Sequence, residues 1–305
     1  MQNIIFGPIH SRRFGISLGV DLSPNKKQCN FDCLYCELGG AKSVASMEDV
    51  LSVDQILHPL LKRLENEPKL DVITLSANGE PTLYPYLLEL ITKIKEEIKG
   101  KYKTLILSNG SRFGQREVQA ALREFDIVKF SLDCFTPQCF KKLDRPNKSL
   151  EIEQIKNGIK DFACTYKGEL VAEILILKNL NDNLEEMKLL ANFMREVGVH
   201  RVDLGTLDRP PAYKIQGVEH QVLQNLSSVF EGLCVSIPAR KQITLEHRTL
   251  LSSEEDVLEL LKKRPISVDE FSSLFDGEQI CQKMLQNGQI EIKKVANMKF
   301  FAPKS

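Results

Sequence analysis

Three cysteines lie close together near the start of the chain, in the stretch CNFDCLYC. Cys29, Cys33 and Cys36 are separated by three and then by two residues. Thiolates are soft ligands that prefer zinc, copper(I) and iron-sulfur centres. A structural zinc site needs four ligands, and the nearest histidines, His10 and His58, have no regular spacing to the cysteines. The motif therefore offers a metal centre held at three corners, with one position left open.

Three interpretations of the motif follow from its donor set. Zinc would need a further ligand, and an electron-transfer cluster of the ferredoxin type ordinarily uses a fourth cysteine. A four-iron cluster held by three thiolates keeps one iron available for a small molecule, which is the asymmetric arrangement that a catalytic site needs. The residues favour this last interpretation and leave the other two open.

The other five cysteines are scattered along the chain, and we expect them to be ordinary reduced thiols. They are Cys134, Cys139, Cys164, Cys234 and Cys281. The first residues lack the pattern of a signal peptide, and no apolar run approaches the roughly 18 residues that span a bilayer. We therefore expect a cytoplasmic protein without a membrane segment, where disulfides are rare.

Length and charge limit the function further. The 305 residues are 42% hydrophobic and 27% charged, which is enough to bury one large core with room for a small appendage. Because 41 basic residues balance 41 acidic ones, no field of the whole protein draws it to nucleic acid or to an anionic membrane. Any site for a polyanion must be local.

Short apolar runs alternate with helical patterns along most of the chain. The runs are SLGVDLS (17–23), DVITLSA (71–77), KTLILSN (103–109), DIVKFSL (126–132), ELVAEILILK (169–178) and HRVDLGT (200–206). Between them, apolar residues recur at helical spacing in 53–67, 86–100, 115–125, 152–162 and 183–198. Such alternation predicts repeated right-handed βα units. The fold class is therefore predicted as α/β, a partial (β/α)6 TIM-like barrel.

Polar residues stand at the carboxyl ends of the predicted strands. After the cysteine loop come Asn78, Gly79 and Glu80, then Ser108, Asn109 and Gly110, then Ser131 and Asp133, then Lys178 and Asn179, and finally Asp203, Gly205 and Thr206. Each residue type also occurs in turns and helix caps. Because the carboxyl ends of parallel strands meet at one mouth, the set predicts a ligand site there.

The cysteine motif and the next two loops resemble the radical S-adenosylmethionine (radical SAM) superfamily. The shared features are the C-x3-C-x2-C spacing with an aromatic before the last cysteine, NGEP (78–81) and SNG (108–110), and the resemblance covers roughly residues 5 to 215. The segments GPIHSRRFGISLGVDLSP, ANGEPTLYP and RPPA further resemble Fe-S oxidoreductases related to the wyosine-type tRNA base synthases. The 28 residues before Cys29 contain no cysteine for a second cluster, so we expect a single-cluster relative.

The resemblance implies roles for individual residues. Cys29, Cys33 and Cys36 would hold a [4Fe-4S] cluster whose fourth iron binds the amino and carboxylate groups of S-adenosylmethionine. Tyr35 would pack near the adenine. The segment Asn78, Gly79 and Glu80 stands where the family has a Gly-Gly-Glu segment that binds the methionyl amino group. The remaining cofactor-binding positions would be Ser131 and Asp133 near the ribose or carboxylate, with Ser108 and Asn109 lining the mouth.

Glu80 carries a more specific expectation. It follows an apolar strand and precedes a proline, so we expect its backbone to turn at the mouth and its side chain to be free. A free carboxylate there could accept a charged hydrogen bond from an ammonium group. Glu80 is therefore predicted as a cofactor ligand and not as a structural carboxylate.

The resemblance also implies an activity and partners. An electron donor such as flavodoxin or ferredoxin would reduce the cluster. S-adenosylmethionine would then be cleaved to a 5'-deoxyadenosyl radical that takes hydrogen from a substrate. A tRNA base is one candidate substrate, and a peptide or a small metabolite is the alternative. A non-enzymatic Fe-S redox-sensing regulator is a further interpretation, but the polar residues at the strand ends have no use in it.

Two basic segments have two interpretations each. His10, Arg12 and Arg13 in HSRRFG belong either to a carboxylate-paired support or to a clamp for phosphate or carboxylate. The same choice applies to Arg209 and Lys214 in LDRPPAYK.

The predicted secondary structure changes near residue 240, where the alternation of strands and helices ends. EEDVLELLKKR, SVDEFSSLF and GEQICQKMLQNGQIEIKKVANMKFFAP predict three short helices and then two strands joined by a polar turn, which resembles a winged-helix module. Residues 241–305 contain ten basic and ten acidic residues, so no duplex-DNA reader is expected. We predict a radical SAM core domain at 1–240 and a winged-helix-like C-terminal module at 241–305 that docks a partner or covers the barrel.

Overall fold

The chain divides into two compact units. A computed structural model describes residues 4–11, 13–65, 69–237, 253–263, 265–274, 278–295 and 298–304. As far as these residues reach, the first unit comprises Met1–Leu34, Ala41–Thr206 and Gln216–Pro238. The second unit comprises Tyr35–Gly40, Leu207–Ile215 and Ala239–Ser305. The predicted boundary near residue 240 lies outside the described residues and stays a prediction.

An eight-stranded sheet in sequence order forms the first unit. Its strands are β1 (Ile5–Ser11), β2 (Gly15–Asp21), β3 (Val72–Ser76), β4 (Lys103–Ser108), β5 (Ile127–Ser131), β6 (Glu169–Leu175), β7 (Arg201–Gly205) and β8 (Val235–Ser236). The first strand is antiparallel to β2, and every later neighbour is parallel. The sheet is open, with β1 and β8 at its edges. The six predicted strands are confirmed as β2 to β7.

Helices connect the parallel strands. They are α1 (Val53–Leu64), α2 (Leu87–Ile98), α3 (Arg116–Leu122), α4 (Pro137–Leu143), α5 (Ile152–Ala163), α6 (Leu184–Val197) and α7 (His220–Ser227), with short 3-10 helices at Pro81–Leu83 and Ser228–Phe230. The sequence sets the ends of α6, because the Asn183 side chain caps its first turn and Gly198 ends it in a left-handed conformation. The predicted α/β fold with a partial TIM-like barrel is confirmed.

The two faces of this curved sheet differ in chemistry. Residues such as Ile73, Ile106 and Val128 lie on the helix side and are fully buried. On the inner face, one residue from each of four strands forms an apolar cluster against Phe14, made of Val72, Leu105, Ile127 and Val171. Since side chains alternate along a strand, residues two positions later share this inner face and lie nearer the carboxyl ends. The apolar cluster therefore closes the lumen below the mouth.

The second unit contains a small domain of its own. Its elements are α8 (Glu254–Lys263), β9 (Ile266–Ser267), α9 (Val268–Leu274), α10 (Glu278–Gln286), β10 (Ile290–Val295) and β11 (Met298–Pro303). The hairpin β10–β11 pairs with β9 in an antiparallel sheet over a core that includes Phe271, Met284 and Phe301. Three helices and a hairpin occur in the predicted order, and the likeness to a winged helix stays a prediction. Within the described part of the chain, no helix is both long and apolar enough to cross a membrane.

Candidate functional site

The loop that carries the first cysteines is hydrogen-bonded to the loop after β3. The Gln28 amide donates to the Asn78 carbonyl at 2.9 Å, and the Glu80 amide donates to the Gln28 carbonyl at 3.0 Å. Gly79 lies between them with φ +140°, and a Cβ at this position would overlap the Gln28 carbonyl oxygen. Only glycine accommodates both the backbone conformation and this close approach. The NGE segment therefore fixes the backbone next to Cys29.

Gln28 is a buried organiser that the sequence analysis missed. Its side-chain oxygen accepts hydrogen bonds from the Glu48 and Asp49 amides, at 2.7 and 2.9 Å. Its nitrogen donates to the Ser23 hydroxyl and the Asp49 carbonyl, at 2.8 and 3.0 Å. Gln28 thus ties the cysteine loop to the segment that leads into α1. A glutamine beside two lysines gives no sequence signal of such a role, because its four hydrogen bonds to Ser23, Glu48 and Asp49 are known only from the fold.

The sulfur of the first cysteine, Cys29, has polar neighbours. Cys29 Sγ accepts from the Phe31 amide at 3.4 Å and from Asn109 Nδ2 at 3.9 Å. The same Asn109 nitrogen donates to Asn30 Oδ1 at 2.8 Å. N–H donors to cysteine sulfur are among the groups that tune an iron-sulfur cluster. The structure therefore brings Asn109, a predicted site residue, to the side of Cys29.

Residues 143–147, at the end of α4 and just after it, also hold the cysteine loop. The Leu34 amide donates to the Leu143 carbonyl, and the Asn147 amide donates to the Asn30 carbonyl, at 2.9 and 2.8 Å. Phe31 pairs with Pro146 in an antiparallel bridge. The sequence analysis assigned no role to DRPN (144–147), which falls between the predicted strand at 126–132 and the predicted helix at 152–162. Its partners are more than 100 residues away in sequence, so no local pattern could have indicated them.

Asp144 in this segment lies next to the second cysteine. Cys33 Sγ donates to Asp144 Oδ1 at 3.6 Å. Burial, together with the nearby Asp133 carboxylate, raises the pKa of Asp144 well above its usual value. Asp133 itself is buried, and its Oδ1 accepts from the Leu175 amide at 2.6 Å, so it also holds the end of β6 in place. Asp144 thus connects the segment after α4 to the cysteine loop, whereas Asp133 connects the loop after β5 to β6.

The expectation of a free Glu80 side chain is wrong. Glu80 is 1% exposed and is the N-cap of the 3-10 helix at Pro81–Leu83. Its Oε1 accepts from the Thr82 amide and hydroxyl and from the Ser108 hydroxyl, and its Oε2 accepts from the Asn109 amide at 2.7 Å. Burial raises the pKa of Glu80, although these hydrogen bonds oppose the shift. The carboxylate joins the loops after β3 and β4, and its role toward a cofactor stays a prediction.

The third cysteine and Tyr35 belong to the second compact unit. There the Ala212 amide donates to the Cys36 carbonyl at 2.9 Å, so the predicted RPPA segment contacts the cysteine loop. Arg209 forms an ion pair with Glu37 at 3.1 Å. This pairing supports the carboxylate-paired interpretation of LDRPPAYK for Arg209.

Arg13 is also paired with carboxylates, namely Glu173 and Asp203. This supports the interpretation of HSRRFG as a paired support. Arg12 and the side chain of His10 lie outside the described residues. Asp203, expected at the end of its strand, lies in the middle of β7 and is completely buried.

One expectation about the other cysteines is wrong. Cys134 and Cys139 form a disulfide, whereas all five scattered cysteines were expected to be free. Among the described residues, these two sulfurs and Glu186 are the one group whose ligand atoms lie close enough together to hold a metal ion. Because the sulfurs form a disulfide, neither is available as a thiolate ligand. Glu186 instead accepts from the Phe135 and Thr136 amides at the start of α4. Cys29, Cys33 and Cys36 are in no disulfide and are partly exposed, as ligands of a cluster should be.

Comparisons with known sequences and structures find one matching family and several similar proteins. The sequence profile described as "Radical SAM superfamily" matches residues 27–194. A "UPF0026 protein" of Helicobacter pylori is 47% identical over 301 residues, covering 98% of this chain and 97% of that protein. A GTP 3',8-cyclase of Limosilactobacillus fermentum is 25% identical over 208 residues, covering 68% and 58%. A solved structure of TYW1 with a lysine-pyruvate adduct shares the fold, with a TM-score of 0.55 and 17% identity over 71% of this chain and 74% of that one.

Proposed function

The chain belongs to the radical SAM superfamily of enzymes, and from that premise we propose a specific activity. It cleaves S-adenosylmethionine reductively at a [4Fe-4S] cluster and uses the radical to take hydrogen from a nucleobase of tRNA. A [4Fe-4S] cluster held by Cys29, Cys33 and Cys36 would supply the one electron that splits the sulfonium of S-adenosylmethionine into methionine and a 5'-deoxyadenosyl radical. A donor of the flavodoxin or ferredoxin type supplies that electron.

The donor set supports the cluster. Cys29, Cys33 and Cys36 form no disulfide, and thiolates are the preferred ligands of iron-sulfur clusters. The Phe31 amide and the Asn109 side chain direct N–H groups at Cys29 sulfur. Backbone hydrogen bonds from two other loops hold the segment in place. This agreement between donor chemistry and a supported loop is the observation that carries the proposal.

The other site residues have proposed roles in binding and shielding. Gly79 keeps the backbone beside Cys29 close to the loop after β3, and Asn78 presents its peptide there, with its amide donating to Asp21 at 2.9 Å. Ser131, on the partly exposed inner face, and Asp133 would meet the ribose or the carboxylate of S-adenosylmethionine. Tyr35 would pack near its adenine. A reactive primary radical needs a site that excludes water, which the loops around the mouth would provide.

A local basic groove supports a phosphate-bearing substrate. A cavity of about 550 Å³ is lined by four cationic side chains, Lys42, Lys141, Arg145 and Lys148, against two carboxylates, Asp32 and Glu151. Arg145 is also paired with Asp32, which lies between Cys29 and Cys33 in sequence. The whole chain is neutral, so this concentration of positive charge beside the cysteine loop is a local feature. It suits the phosphates of RNA, which dominate affinity in protein–nucleic acid complexes.

A comparison of cells with and without the protein tests the substrate. We expect mass spectrometry of digested tRNA to show one modified nucleoside that disappears on deletion. The wild-type gene should restore it, and a Cys33→Ala variant should not. If the tRNA nucleosides are identical and a free nucleotide, another metabolite or a peptide changes instead, the proposed RNA substrate is wrong. If nothing depends on Cys33, the proposed activity is wrong as well.

A further inference from the structure

The inner face of the barrel carries charges directly above the apolar cluster. Lys129, Glu173 and Asp203 lie on three neighbouring strands, each on the inner face and one layer nearer the mouth than the apolar cluster. Lys129 Nζ lies 2.6 Å from Glu173 Oε1 and 3.2 Å from Asp203 Oδ2. Arg13 reaches the same two oxygens, at 3.0 and 3.2 Å. Each cation thus contacts both carboxylates, and we call these four residues the charge quartet.

The members of the charge quartet differ in exposure. The Asp203 side chain is fully buried and that of Lys129 is 7% exposed, but that of Glu173 is 31% exposed. Among the hydrogen bonds of the described residues, those of the Glu173 side chain all end on Oε1. Since Glu173 is on the inner face, its exposed part opens into the lumen. Arg13, Lys129 and Asp203 serve in the ion pairs of the charge quartet. Glu173 takes part in the same pairs and also offers an acceptor to a ligand.

The charge state of Glu173 suits such a role. Burial opposes ionisation, but Lys129 and Arg13 outweigh it and lower the pKa of Glu173 below its usual value. The group is therefore a carboxylate at neutral pH, and it can only accept hydrogen bonds. Glu173 therefore favours a ligand group that donates a hydrogen bond, such as N–H, over a group that accepts one.

An exposed apolar side chain lies on the same face as this acceptor, two strands away. Leu107 on β4 is the register partner of Lys129, and Ser131 is the register partner of Glu173, so all four share the inner face. Leu107 is 37% exposed, which is unusual for a leucine in the interior of a barrel. A leucine exposed on the same face as a carboxylate, two strands away, suits a planar ring that spans the gap and has an N–H donor on its edge. Nucleobases with exocyclic amino groups have this shape and chemistry.

We propose that Glu173 anchors the substrate by accepting a hydrogen bond from an N–H group of a nucleobase whose ring lies against Leu107. This deepens the proposed function and rests on it for the choice of substrate. A hydrogen bond to a charged acceptor changes affinity by about ten- to a hundredfold. Loss of the acceptor should therefore raise KM by that factor.

The test compares two carboxylates of the same quartet. Glu173→Gln and Asp203→Asn each remove one charge from the network, but only Glu173 reaches the lumen. The reconstituted full-length protein is assayed with tRNA from deletion cells as the probe, alongside iron content and melting temperature. We expect Glu173→Gln to raise KM ten- to a hundredfold with full iron content. Asp203→Asn should lower the melting temperature and leave KM within about threefold.

A second variant keeps the test decisive if Glu173→Gln does not fold. Glu173→Asp preserves the charge that balances Lys129 and Arg13 but withdraws the carboxylate from the lumen, so KM should again rise. A wild-type KM in a folded, iron-loaded Glu173 variant overturns the anchor, as does an equal rise in Asp203→Asn. If only free purine nucleotides support turnover, the proposed tRNA substrate is wrong, and the same KM comparison with those nucleotides decides the anchor.

Discussion

Gly79→Ala should destabilise the cysteine loop more than the same replacement at another glycine with a positive φ destabilises its own surroundings. Gly79 has φ +140°, a conformation that costs a residue with a side chain about 1 to 3 kcal/mol. The new Cβ would also push away the Gln28 backbone, whose two hydrogen bonds to the NGE segment contribute about 0.5 to 1.5 kcal/mol each. The combined loss is about 2 to 6 kcal/mol. Because Gln28 precedes Cys29, iron binding should fall as well.

Gly198→Ala is the matched control. Gly198 has φ +71°, but a Cβ there would meet no atom within 4 Å. Only the left-handed backbone conformation is then penalised, by about 1 to 2 kcal/mol. Gly198 ends α6 and lies far in sequence from the cysteine loop, so iron binding should be unaffected.

Urea denaturation of the reconstituted proteins measures both free energies of unfolding, and iron analysis measures cluster loading. We expect Gly79→Ala to be about 1 to 4 kcal/mol less stable than the control and to hold much less iron. Equal stability and full iron in the two variants would refute the role assigned to Gly79.

Three further results are expected. Anaerobically reconstituted protein should hold about four irons per chain on Cys29, Cys33 and Cys36, and two clusters or stoichiometric zinc without iron would contradict this. Glu80→Gln should lower the melting temperature, since the buried carboxylate loses charged hydrogen bonds, and an unchanged melting curve with weakened S-adenosylmethionine binding would restore the ligand role. The lowered pKa of Glu173 stabilises the fold above the pKa of the unfolded carboxyl, near 4.5, and that contribution is lost as pH falls through the folded value. Glu173→Gln should therefore flatten the acid side of the stability profile, and an unchanged acid limb would contradict the assignment.

The sequence predicted the scaffold well because its parallel strands are buried and rich in β-branched residues. Each predicted strand from β2 to β7 overlaps the observed one. The edge strand β1 was missed because Gly7 and Pro8 interrupt it, and proline in a strand is typical of edges and bulges. The two-residue strand β8 is too short to give any periodic signal.

The site was predictable in its residue types but not in its hydrogen bonds. The cysteine spacing indicated a metal centre, yet Glu80, Gln28 and Asp144 each have a hydrogen-bond partner 20 to 111 residues away. The charge quartet had a weak signal that was not used. Lys129, Glu173 and Asp203 interrupt apolar strands at matching positions, and an alternating charge in a buried strand indicates a polar lumen.

The cleavage of S-adenosylmethionine tests the central claim most directly. Wild-type protein, Cys33→Ala and Cys234→Ala are reconstituted anaerobically, reduced and assayed for 5'-deoxyadenosine. Cys33 lies in the proposed cluster site, whereas Cys234 is an exposed free thiol just before β8. We expect product from the wild type and from Cys234→Ala, and none from Cys33→Ala. Equal product from Cys33→Ala, or none from the iron-loaded wild type, would contradict the assignment of a radical SAM site to these cysteines.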